Sequence, residues 1–157
     1  MSKDDRPFVD RFFESGHKPF IYDGRLVHYS VRVPVGQRKR VSVHAKSAIK
    51  RPLQAICIAT NNCLLKFGGK KSKSATCWIE YVPIEFEAEI VNAKPDAELI
   101  IWHAVESGHR NSIYGIGDMG MLVELVQESK DHILIRCNSG VDTKKDFKSL
   151  VFELEVI

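Results

Sequence analysis

Apolar positions alternate with a period of two along most of the chain, and only the first segment carries a helical period. Phe8, Val9, Phe12 and Phe13 recur on one side of a stretch that Asp5 can cap, Pro7 can open and Gly16 can stop. A helix is therefore expected over 5–15, lying as a lid on a β-rich core over 19–157. Phe20 to Tyr22 and Arg25 to Val33 flank Asp23-Gly24, a strong short hairpin signal, with Phe20, Val27, Tyr29, Val31 and Val33 assigned to the inward face. Pro34 to Arg38 then separates this run from Lys39 to Ala45, where Val41, Val43 and Ala45 continue the alternation, so a second hairpin is expected.

Further strands are expected at Gln54 to Thr60, Cys63 to Phe67, Ala75 to Val82, Ile84 to Val91, Met121 to Val126, His132 to Cys137 and Leu150 to Ile157. Ile84 to Val91 alternates cleanly, with Glu85, Glu87 and Glu89 forming an acidic outer row. Residues 97–107 read either as a second helix, the preferred assignment because Asp96 and Gly108 punctuate it, or as a strand, since Leu99 to Trp102 is apolar on every side. About eight to ten short strands at turn-punctuated spacing give a mainly β fold, an antiparallel sandwich or barrel, with α+β as the alternative. The 157 residues fit one domain.

Charge changes the picture more than composition does. Residues 1–80 hold 16 Lys and Arg against 6 Asp and Glu, a net of +10, whereas residues 81–157 hold 7 against 14, a net of −7. Asp23 and Glu80 bound a stretch with no carboxylate at all. Such asymmetry suggests a polyanionic partner, an acidic protein surface, or another copy of the chain. Within that stretch, the polar positions of His28-Tyr29-Ser30-Val31-Arg32 read backwards as those of Arg40-Val41-Ser42-Val43-His44. A hairpin turning at 34–38 would set Arg32 against Arg40, Ser30 against Ser42 and His28 against His44.

Opposed arginines destabilise an antiparallel pair unless an anion sits between them, and guanidinium forks suit phosphate oxygens. Arg32, Arg40, Ser30 and Ser42, extended by Lys39, Lys46, Lys50, Arg51, Lys70, Lys71 and Lys73, are thus the candidate binding residues of a small non-enzymatic protein for nucleic acid or another polyanion. The bland alternative pairs these arginines with Glu85, Glu87 and Glu89 on a neighbouring strand. Two other functional readings are a protein-interaction or self-assembly module using the opposite-charge halves, and a metal-independent ribonuclease with His28 and His44 as acid and base.

Other signals exclude more than they propose. No cofactor and no metal site are expected: Cys57, Cys63, Cys77 and Cys137 lack C-x-x-C spacing and read as buried free thiols of a reducing compartment. No stretch is apolar enough to be a signal peptide or a membrane span, which gives a cytoplasmic expectation without a membrane partner. Gly115 to Gly120 matches G-x-G-x-x-G, yet no acid follows at the required distance, so a glycine turn into a strand is favoured. His103 reads as a satisfied, partly buried histidine.

Overall fold

A computed structural model describes residues 6–106, 113–114, 119–139 and 145–157. The fold is mainly β, with one short helix, α1 (Phe8–Ser15). Described strands are β1 (Phe20–Tyr22), β2 (Arg25–Val27), β3 (Val31–Pro34), β4 (Arg40–Ala48), β5 (Gln54–Asn61), β6 (Leu64–Phe67) and β7 (Lys70–Ser72). They continue with β8 (Ser74–Ile79), β9 (Ile84–Val91), β10 (Glu98–Glu106), β11 (Ile113–Tyr114), β12 (Met119–Val126), β13 (Ser129–Ser139) and β14 (Leu150–Val156). No described helix is long and apolar enough to cross a membrane.

Two antiparallel sheets face each other. The larger runs β12-β13-β14-β4-β9-β6-β7, and the smaller runs β11-β10-β5-β8 with β3 also on β10. Period-two alternation buries one side of each: Val33, Ile56, Ile58, Leu99 and Ile101 of the small sheet meet Val41, Val43, Leu65, Ile90, Ile135, Phe152 and Leu154 of the large one in a single core. β9 follows its sequence pattern, with Ala88 and Ile90 buried and Glu85, Glu87 and Glu89 exposed.

The N-terminal segment builds a second, smaller core on the outside of β12. Phe8, Phe12, Val27, Leu122 and Phe147 are buried together there, and the Phe8 ring lies 5.2 Å from Tyr22, edge to face. Gly16 ends α1 in the left-handed region (φ 67°), while the expected cap, Asp5, lies outside the described residues. Only half of the helical stripe is covered, because Val9 and Phe13 point to solvent, Phe13 being 84% exposed. Gly120 allows the close approach: a Cβ there would lie 2.5 Å from Val27 Cγ1 and 3.0 Å from Phe8. It opens strand β12 rather than a helix, so the glycine-rich motif has no nucleotide-binding frame here. Gly115 to Asp118 lie outside the described residues.

The Asp23-Gly24 hairpin forms as expected, with Phe20 opposite Val27 and both turn residues at positive φ. Three other expectations are corrected. Residues 25–33 are two strands, because His28 bridges to Met121 at the edge of the large sheet before the chain crosses to the small one. Tyr29 consequently leaves the inward face and stacks on His17 at 4.4 Å. Residues 98–106 are strand β10 rather than a helix; it is the centre of the small sheet, which explains apolar residues on both of its sides.

The third correction concerns the expected hairpin of 25–33 with 39–45. β3 pairs with β10, placing Arg32 beside Ile100, and β4 pairs with β9 and β14 in the other sheet. Residues Val35 to Lys39 carry the chain across the sandwich. The physical reason is charge: β4 inserted between two acidic strands meets opposite charge on both sides, whereas a β3–β4 hairpin opposes two arginines.

Candidate functional site

On the outer face of the large sheet, Arg40, Ser42 and His44 stand opposite Glu89, Glu87 and Glu85 of β9. From the other side, Glu155 and Glu153 of β14 stand opposite Ser42 and His44. The Arg40 guanidinium donates to Glu87 at 2.8 Å, and Ser42 Oγ donates to Glu85 at 3.3 Å. Lys46 pairs with Glu153, which also holds His132 at 3.1 Å, and these two partners pull the Glu153 carboxyl below its ordinary range. On the small sheet, Arg32 pairs with Glu98. Both arginines thus meet a carboxylate of the same chain, and the face expected to be basic is a mixed-charge ladder.

The other pairings expected from the mirrored sequence are not made either. Ser30 lies in the break between β2 and β3, away from Ser42 on β4. His28 borders β12, which is separated from β4 by β13 and β14, so the two histidines stand on the order of 20 Å apart at ordinary strand spacing. Burial lowers the pKa of His28. An acid–base pair of His28 and His44 is not assembled.

The remaining basic residues divide between the two ends of the sandwich. Lys50 and Arg51 follow β4 at one end, beside a hollow of about 450 Å³ that Lys50 and Tyr81 line. At the opposite end, the β3–β4 and β9–β10 turns enclose an open cleft of about 970 Å³. Arg38, Lys39, Arg40 and Lys94 line it, with Glu89 as the one carboxylate side chain of the lining among the described residues. Arg38 is engaged by Asp131 and Arg40 by Glu87, but Lys39 and Lys94 make no side-chain ion pair among the described residues. A smaller hollow of about 420 Å³, lined by Thr60, Asn61, Asn62 and Lys73, shares Asn92 and Lys94 with this cleft.

Backbone bonds hold the cleft walls in place: Ile90 donates to the Lys39 carbonyl at 2.7 Å, Val35 to Ala97 at 3.0 Å, and Lys94 to Asn62 at 2.9 Å. Lys71, on the edge strand β7, reaches Asn92 Oδ1 at 3.5 Å, and Lys66 beside it faces Glu89. Lys70 and Lys71 on this edge also serve the ordinary purpose of blocking edge-to-edge aggregation. Asn92 and Lys94 were not singled out by the sequence, since Lys94 has no other Lys or Arg within fifteen residues on either side and only the fold returns it to the basic half.

All four cysteines are free, and burial raises their pKa values, that of Cys57 to about 11, which leaves weakly nucleophilic thiols. Among the described residues no group of three or more His, Cys, Asp or Glu side chains could hold a metal ion. His103 is buried in the sandwich interior, its Nε2 2.6 Å from Gln54 Oε1 while Nδ1 has no partner among the described residues. No protein-family model matches the chain, and a search of the curated proteins gives no match.

Proposed function

We propose that the protein is a small non-enzymatic binding module that takes the phosphodiester backbone of a nucleic acid, or a comparable polyanion, at the end of the sandwich where Lys39 and Lys94 meet. The observation that carries this reading is the open cleft with two lysines that have no carboxylate partner among the described residues, flanked by Lys73 and by Lys71, which reaches Asn92. Its lining contains no aromatic side chain, which favours contact with the backbone over stacking on bases and hence weak sequence preference.

Anisotropy of labelled RNA and DNA, with heparin as a competitor, tests it. Binding weakens steeply from about 50 mM to about 200 mM salt, and the Lys39→Ala/Lys94→Ala double variant lowers the slope of log K against log salt by about 2. Lys50→Ala leaves affinity unchanged, since Lys50 lies at the other end of the sandwich. Absence of binding at about 50 mM salt, or a double variant indistinguishable from the parent, refutes the reading.

A further inference from the structure

Strand β8 leaves one edge of the small sheet open. Residues Ser74 to Ile79 contain no charge and no proline, and they pair with β5 in unbroken register. Thr60 donates to the Lys73 carbonyl, so residues 73, 75, 77 and 79 turn their backbone groups to β5 while 74, 76 and 78 turn theirs outward. Ser72 Oγ occupies both outward groups of Ser74, accepting from its N–H at 3.3 Å and donating to its carbonyl at 2.7 Å. The outward N–H and C=O groups of Thr76 and Trp78 have no backbone partner among the described residues.

We propose that β8 pairs antiparallel with β8 of a second copy across a two-fold axis, joining two five-stranded sheets into one. Three observations select a second copy running in this direction. An uncharged strand can face itself without like charges meeting. Exposed Lys73 precedes the strand and exposed Glu80 follows it, neither with a side-chain partner among the described residues, so antiparallel pairing sets each lysine at the end that holds the other copy's glutamate, one position out of register, whereas parallel pairing gathers like charges at each end. With Ser74 already satisfied, the free groups match when Thr76 bonds Trp78 of the other copy and Trp78 bonds its Thr76. That register places Cys77 directly across from Cys77 of the second copy in a non-hydrogen-bonded pair, about 4.5 Å between Cα atoms, within reach of a disulfide.

The test is sedimentation velocity from about 5 to about 200 μM, combined with diamide oxidation, in which the reagent takes up the two thiol hydrogens, one from each Cys77, as the S–S bond forms. The parent chain dimerises, and oxidation gives a covalent dimer that Cys77→Ser abolishes and Cys63→Ser does not. Thr76→Pro removes an N–H that only the partner uses, so the variant stays folded and becomes monomeric. Independently of that variant's folding, Lys73→Glu or Glu80→Lys raises the dimer Kd about tenfold, and combining the two restores it. A parent chain that is monomeric throughout, or a dimer that neither the charge reversals weaken nor oxidation links through Cys77, overturns the proposal.

Discussion

His103 makes the stability of this sandwich sensitive to mild acid. Its imidazole faces the core between Ile101 and Val105, is 4% exposed, and has the Gln54 amide as its hydrogen-bonding partner. Gln54 in turn donates to the Pro52 carbonyl at 2.8 Å, so the pair is anchored with the imidazole neutral. Burial alone pushes the pKa from 6.5 to about 3. The unfolded chain therefore binds this proton first: stability is full above pH 6.5 and falls as pH drops toward 3. Between about pH 7.5 and about pH 4.5 the loss comes to about 2–3 kcal/mol, roughly 5–10 °C in melting temperature.

His28, also lowered by burial, titrates in the same direction, whereas the depressed Glu153 loses its stabilising ionisation only further into acid. Calorimetry across this range should give a steep curve for the parent and for His28→Gln. His103→Leu should start lower, by about 1–3 kcal/mol for the abandoned Gln54 oxygen, and fall less steeply, keeping only the smaller contribution of His28. The His103→Leu/Gln54→Leu pair should recover part of the baseline. Parallel curves for the parent and His103→Leu would refute the argument.

Gly120→Ala should cost about 1–3 kcal/mol, because its Cβ meets Val27 and Phe8, and Val27→Ala should recover part of that loss in a double-mutant cycle measured by urea unfolding. On α1, Phe12→Ala should destabilise by about 3–5 kcal/mol, whereas Phe13→Ala, one residue on and exposed, should stay within about 0.5 kcal/mol by the same measurement. Thiol titration of the native protein should label Cys77 ahead of Cys57 and Cys137, which are fully buried with raised pKa values, and all four should react together once urea unfolds the chain.

Local chemistry was legible in the sequence where the partner lay close by. Asp23-Gly24 specified its hairpin because a two-residue turn decides the pairing of its own flanks, and β9 declared both faces through strict alternation. The mirrored segments around Arg32 and Arg40 misled because alternation gives a face and a register parity but not a neighbour. The neighbours chosen, Glu98 for Arg32 and Glu87 for Arg40, come from the other half of the chain. At β10, Asp96 and Gly108 resemble helix punctuation, and a central strand with both sides covered shows no period to contradict them. The cleft at Lys39 and Lys94 was illegible for a related reason: its two walls are turns more than fifty residues apart, and no local pattern links them.

The insertion of β4 between β9 and β14 carries one more consequence. Ion pairs joining Arg32, Arg38, Arg40 and Lys46 to Glu98, Asp131, Glu87 and Glu153 all stitch the cationic half to the anionic half. The exposed link Glu80 to Pro83 lies where the sign changes. A protease nick there would leave two fragments that attract each other electrostatically and share long hydrogen-bonded seams, β5 with β10 and β4 with its two neighbours. The molecule is thereby suited to reassembly from complementary pieces, faster as ionic strength falls.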